Sequence, residues 1–222
     1  MSEREAILGW HFIRPDMKTA MMGLPVVVGE VLSVEGEILP CHNGLHASMV
    51  LEDAMGYAEF AMLCRVRSWG DVEWDSDKYA SRHRRCLWAL DVEKFFVEYT
   101  CSEFEALINR AVELDVYVHP DTRKSVEAFR LFHNNVLDRD GFLLARQRAF
   151  QVDPVYNPDH IVSVVARAGR EILDTHPIDS ACAILRAKDR FAALINRPQR
   201  ANAELETAVI EYAKSQGIQV DE

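Results

Sequence analysis

The residue types best suited to chemistry fall in short blocks, of which Cys41-His42-Asn43-Gly44-Leu45-His46-Ala47-Ser48 is the most informative. Gly44 ahead of Leu45 and His46 reads as a turn entering a strand. The strand period of two then sets His46 and Ser48 on one face and Leu45 and Ala47 on the other. With Leu45 in the core, His46 points to solvent or a cleft. Zinc fits poorly, because structural zinc takes four ligands and no further pair accompanies Cys41 and the histidines. Gly44 also argues against the helix that would bring His42 and His46 together. No metal and no cofactor is expected, and a histidine that merely holds the turn is as good a reading as a binding group.

The second block, Asp75-Ser76-Asp77-Lys78-Tyr79-Ala80-Ser81-Arg82-His83-Arg84-Arg85, runs from acidic to basic. It reads either as an ion-paired loop without a ligand, or as a segment turning Lys78 and Arg84 inward on a phosphate or carboxylate. Arginine offers such an anion a planar fork of two hydrogen bonds. In Gly9-Trp10-His11-Phe12, a strand would bury Trp10 and Phe12 on one face and leave His11 on the other. The expectation is a polar cleft shared by His11 and His46, together with Lys78 or Arg84.

Composition bounds what such a cleft can serve. The chain has 222 residues, 49% apolar and 27% charged, which suits a globular protein of one compact domain or two small ones. Its 25 basic against 35 acidic residues give a net charge of −10. A broad nucleic-acid surface is therefore not expected, whereas a basic protein partner or a second copy of the chain is. No run of 18 apolar residues and no basic-then-apolar leader is present, so neither a membrane span nor a signal peptide is expected, and a cytoplasmic location follows. The five cysteines, Cys41, Cys64, Cys86, Cys101 and Cys182, are odd in number and widely spaced. They make no disulfide framework, and Cys64, Cys86 and Cys182 read as small core residues.

The elements that must position these groups change character along the chain. Over residues 1–91, apolar runs such as LPVVVGEVLSV, EILPC, GLHASMV, AMLCRVRSW and RCLWALD are bounded by Gly and polar turns, the mark of strands. One short helix is expected over 51–60, capped by Ser48 or Asp53. Over residues 92–222 the apolar period becomes helical, with helices across 92–116, after Asp121 as a cap, after Asn157-Pro158, after Pro177, and from 199 to 216, where Gly217 closes the last. The fold class is α+β: a small, mostly antiparallel β domain followed by an all-helical domain. Nine rings lie between 95 and 150, from Phe95 to Phe150, and one or two of them are expected at the surface as interface anchors.

Taken together, Trp10-His11-Phe12, Val28-Gly29-Glu30, Cys41 with Gly44-Leu45-His46-Ala47-Ser48, Asp53-Ala54 with Tyr57-Ala58, Leu63-Cys64-Arg65-Val66, Asp77-Lys78 and Arg84 with Leu87-Trp88 resemble a family of uncharacterised bacterial and phage-associated proteins. That family carries C-x-x-G-L-H-A-S, D-A-x-x-Y-A, C-R-V, D-K and L-W in this order, with helical tails, some similar to immunity-protein modules. The resemblance covers residues 9–92 and implies a domain rather than a reaction. A weaker likeness, to ADP-ribosyltransferase-like folds, implies His11 on an NAD ribose and Tyr57 near the nicotinamide. Two functions follow as expectations. One is a non-enzymatic binding or regulatory protein, antitoxin- or immunity-like, acting through protein contact. The other is a nucleotide- or NAD-binding enzyme with a cleft lined by His11, His46, Tyr57, Lys78 and Arg84.

Overall fold

The structure is a computed structural model that describes residues 3–151, 160–173, 176–195 and 201–220. It is α+β, and the chain divides into two compact units, Met1–Val92 with Asn202–Glu222, and Glu93–Ala201. The sequence reading attached the last helix to the helical half. In the structure that helix, Ala201–Ser215, groups with the β unit instead. Its apolar stripe Leu205, Val209 and Ala213 is fully buried, as the spacing of four along one helical face allows.

In the first unit, β1 (Ile7–Ile13), β2 (Val31–Ser33), β3 (Leu45–Ala47), β4 (Met62–Asp75) and β5 (Lys78–Asp91) form one antiparallel sheet. The order is β1-β4-β5-β2, and β3 lies on the same edge of β5 as β2, beside Tyr79 to Ser81. The residue after β3 then bridges back to β1: Trp10 N–H donates to Ser48 O at 2.7 Å and Ser48 N–H to Trp10 O at 3.0 Å. The sheet thus curls until β1, β4, β5 and β3 form a ring, which satisfies strand edges that would otherwise stay open. Ile13, Ala47, Cys64, Val66, Tyr79 and Cys86 pack together in one core cluster, and Leu45 and Ala80 pack with Val34 and Ile38 in another.

Several local expectations change. The segment 75–85 is no loop: β5 begins at Lys78, and a two-residue turn, Ser76-Asp77, joins it to β4. The run LPVVVGEVLSV supplies only three strand residues, and EILPC supplies no strand, only a bridge between Leu39 and Asn43. Val27, Val28 and Val31 are exposed, so the valines there lack the neighbouring surface that favours strands. The short helix α1 is Leu51–Met55, and neither Ser48 nor Asp53 caps it.

The second unit holds α2 (Glu93–Glu113), α3 (Pro120–His133), α4 (Arg139–Phe150), α5 (Ile161–Glu171) and α6 (Pro177–Leu194). They share a core built on Phe104, Phe129, Val165, Ile172 and Ile184. The cap of α3 is His119, whose ring accepts from Asp121 N–H, with Pro120 in the first turn. The turn read at Asn157-Pro158 lies outside the described residues. Of the nine rings, Tyr117 and Phe150 are exposed and five are buried. The C-terminal helix, α7 (Ala201–Ser215), ends as expected at Gly217, which takes φ +79°.

Candidate functional site

The ring closure between β3 and β1 leaves a cavity of about 260 Å³ in the first unit. All five residues singled out in the sequence line it: His11 from β1, His46 from β3, Tyr57 from the turn after α1, and Lys78 and Arg84 from β5. Trp10, Phe12, Met21, Met22, Leu45 and Ala54 supply apolar walls, and Cys41 and Thr19 add polar edges. Among the described residues, no aspartate or glutamate lines the cavity.

Local backbone fixes His46. Gly44 has φ +133°, and a Cβ there would sit 2.8 Å from Ala80 Cβ, so the tight entry into β3 requires glycine. Cys41, itself at φ +66°, donates its backbone N–H to His46 Nε2 at 2.9 Å. That bond occupies the acceptor nitrogen and leaves the proton of the neutral ring on Nδ1. Asn43 braces the same loop by donating its side-chain amide to the carbonyls of Glu35 and Glu37, each at 2.8 Å.

The basic block of β5 divides by partner. Arg82 pairs with Asp71 and donates to the carbonyls of Val34 and Gly36, His83 shares a hydrogen bond with Ser33, and Arg85 pairs with Glu3. Arg82 and Arg85 are thus ion-paired, but with acids outside the 75–85 segment, and His83 bonds a serine rather than an acid. Arg84 differs: its side chain is 3% exposed, it donates from Nη1 to His46 O at 2.6 Å, and no carboxylate pairs with it among the described residues. Burial works against its charge and lowers its pKa.

Both imidazoles feel that charge. Burial, then Arg84 and then His46 hold His11 well below the usual histidine range. Burial, then Lys78 and then Arg84 lower His46. Both rings are consequently neutral near pH 7. His11 Nε2 is buried with no hydrogen-bond partner, an unusual state for a buried polar atom.

The Lys78 ammonium lies over the Tyr57 ring, 4.0 Å from its centroid. Burial works against the Lys78 charge, but hydrogen bonding with Cys41 and Tyr57 outweighs it and raises the pKa. The Tyr57 hydroxyl donates to Asp77 Oδ1 at 2.7 Å, and this bond leads the causes that lower the Asp77 pKa. The nearby acid is thereby tied to the tyrosine. Among the described residues, no group of three or more His, Cys, Asp and Glu is placed to hold a metal ion, and no helix is long and apolar enough to cross a membrane.

Two contributors escaped the sequence reading. The segment Thr19 to Met22 closes one wall, where Thr19 Oγ1 accepts from Leu24 N–H at 3.0 Å and Met21 is 55% exposed. Its signal was the adjacent methionines, flexible side chains suited to adaptable surfaces. The other is Glu206 of α7, whose carboxylate accepts from Leu51 N–H and so caps the helix that carries Ala54 towards the cavity.

No curated protein and no solved structure matches this chain. Residues 7–98 match a family model described as a domain of unknown function (DUF7666). That span takes in the whole sheet and every candidate site residue, stops short of α7, and makes the β unit similar to this uncharacterised family.

Proposed function

We propose that the β unit is a binding module for a small organic anion, with Arg84 as the group that holds the charge. The observation that carries this reading is a guanidinium 3% exposed, on the wall of a cavity, with no acidic partner among the described residues. A buried charge is costly unless it is paired and hydrogen-bonded. An anion in the cavity completes the pair, and Lys78 on the same walls supplies a further donor.

Binding is favoured over catalysis by the state of the histidines. His46 has its acceptor nitrogen occupied by the Cys41 N–H, so it is not free to act as a base. No carboxylate among the cavity walls stands ready to orient either ring for proton transfer. The cavity volume of about 260 Å³ also sits below the range of about 300–1,000 Å³ typical of drug-sized ligands. This supports a ligand smaller than a dinucleotide. The wider role, a regulatory or immunity-like protein working through protein contact, draws support from the net charge of −10 and from Tyr117, 70% exposed.

Thermal unfolding of the full chain with inorganic phosphate, sulfate and benzoate tests the reading. A ligand at about one hundred times its Kd raises stability by about 2.7 kcal/mol. At least one anion is expected to raise the Tm of the natural chain and not that of Arg84→Met. Absence of any anion-dependent shift in the natural chain contradicts the proposal.

A further inference from the structure

We infer that the anion held in this cavity is a phosphomonoester on a small aromatic or apolar body, rather than a carboxylate. The inference rests on the anion-binding reading above and narrows it to a ligand class. Arg84 and Lys78 are two cations on the cavity walls, and among the described residues no Asp or Glu lines those walls. A carboxylate brings one negative charge and two oxygens in a plane. A phosphomonoester brings about −1.5 to −2 charges at pH 7 and three acceptor oxygens.

The donors are arranged for the second kind of group. Arg84 commits only Nη1 to the protein, at His46 O, so the rest of its fork is open to a ligand. His11 Nε2 is buried and unpartnered on the same walls. Lys78 lines the same cavity, and after burial its charge and that of Arg84 both work against ionisation of His46. A flat two-oxygen head is used up by the guanidinium fork, whereas a third oxygen on phosphorus leaves an acceptor for the second cation on the same walls. Asp77, held ionised by the Tyr57 hydroxyl and by the charge of Lys78, is not one of the residues lining the cavity.

The remaining walls favour an apolar body. Trp10 and Phe12 are buried, and Met21 and Met22 flank them with side chains able to adapt their shape. A single ring suits a cavity of about 260 Å³.

Isothermal titration of the full chain at about pH 7.5, where a phosphomonoester is mostly dianionic, separates the cases with phenyl phosphate, phenyl sulfate, benzoate and inorganic phosphate. The three phenyl probes share the ring and differ in the head. Phenyl phosphate is expected to bind at least about tenfold more tightly than benzoate or phenyl sulfate, a difference of about 1.4 kcal/mol, and more tightly than inorganic phosphate. Lys78→Gln is expected to shrink the preference for phosphate over sulfate while leaving benzoate affinity within about twofold. Benzoate or phenyl sulfate binding as tightly as phenyl phosphate overturns this inference and leaves anion binding standing. Inorganic phosphate binding as tightly as phenyl phosphate overturns the apolar body. An unchanged preference in Lys78→Gln overturns the role of the second cation, and no binding by any probe overturns both readings.

Discussion

Glu206, in the last helix, accepts a hydrogen bond from the Leu51 backbone N–H at 2.9 Å. The first N–H groups of a helix have no partner within it, so the carboxylate serves as the cap that Ser48 and Asp53 do not provide. Burial lowers the pKa of Arg65 and the charge of Glu206 works against that fall; the Arg65 guanidinium lies 4.2 Å from the centroid of Trp10, a wall of the cavity. One acidic side chain thus braces two cavity walls from outside the family-matched span. Glu206→Ala is expected to lower stability by about 1–3 kcal/mol and to speed amide exchange at Leu51, whereas Glu206→Gln keeps an acceptor and much of the protection. Equal exchange at Leu51 in both variants and the natural chain would show that the bond contributes nothing.

Arg84→Met separates stability from binding. The variant loses the bond to His46 O but also relieves the desolvation of a buried, acid-free cation, and such exchanges are often neutral or stabilising. The expected change in unfolding free energy is within about 1 kcal/mol, or favourable, while the response to anions disappears. Burial and then Arg84 lower the His11 pKa, so NMR titration of the variant is expected to show that pKa moving up towards the ordinary histidine range. A severe loss of stability would mean that Arg84 serves the fold rather than a ligand.

Stability is expected to fall as pH drops from about 6.5 towards 5. His11, His46 and His133 all have folded-state pKa values below the ordinary histidine value, in each case with burial as the leading cause. The unfolded chain therefore takes up protons first, and native stability, complete above about 6.5, is lost as pH falls towards the folded values. The limit is about 1.4 kcal/mol per pH unit for each proton involved. An anion in the cavity favours the charged imidazoles, so affinity for phenyl sulfate, which does not titrate in this range, is expected to rise over the same interval. Denaturant midpoints and titrations at several pH values check both signs.

How much of this was legible in the sequence depends on distance along the chain. The turn into β3 was readable because Gly44 is the residue a positive φ requires and because Leu45 and Ala47 alternate with His46 and Ser48. The segment 75–85 was misleading as a loop, since a strand rich in Arg and Lys lacks the apolar alternation that marks strands. Only pairing shows that Arg82, His83 and Arg85 each have partners elsewhere, at Asp71, Ser33 and Glu3, while Arg84 has no acid partner among the described residues. Glu206 gave no local sign, because its partner Leu51 lies 155 residues away.

Gly44→Ala probes the geometry that aims His46. A Cβ at this residue meets Ala80 Cβ at 2.8 Å, and φ is +133°, a conformation costing about 1–3 kcal/mol for a residue with a side chain. The variant is expected to lose stability on that scale and to bind anions more weakly than Cys41→Ser, which keeps the backbone N–H that His46 accepts. Equal anion affinity in the two variants would remove the link between this turn and the site.

If an anion completes the charge of Arg84 inside the cavity, the side-chain NMR signals of His11 and His46 register it while phenyl phosphate is added. Both rings line the cavity beside Arg84. The account predicts saturable shifts at both imidazoles, towards the protonated form, in the natural chain and none in Arg84→Met. Signals that stay unmoved in the natural chain, or that move equally in Arg84→Met, would contradict it.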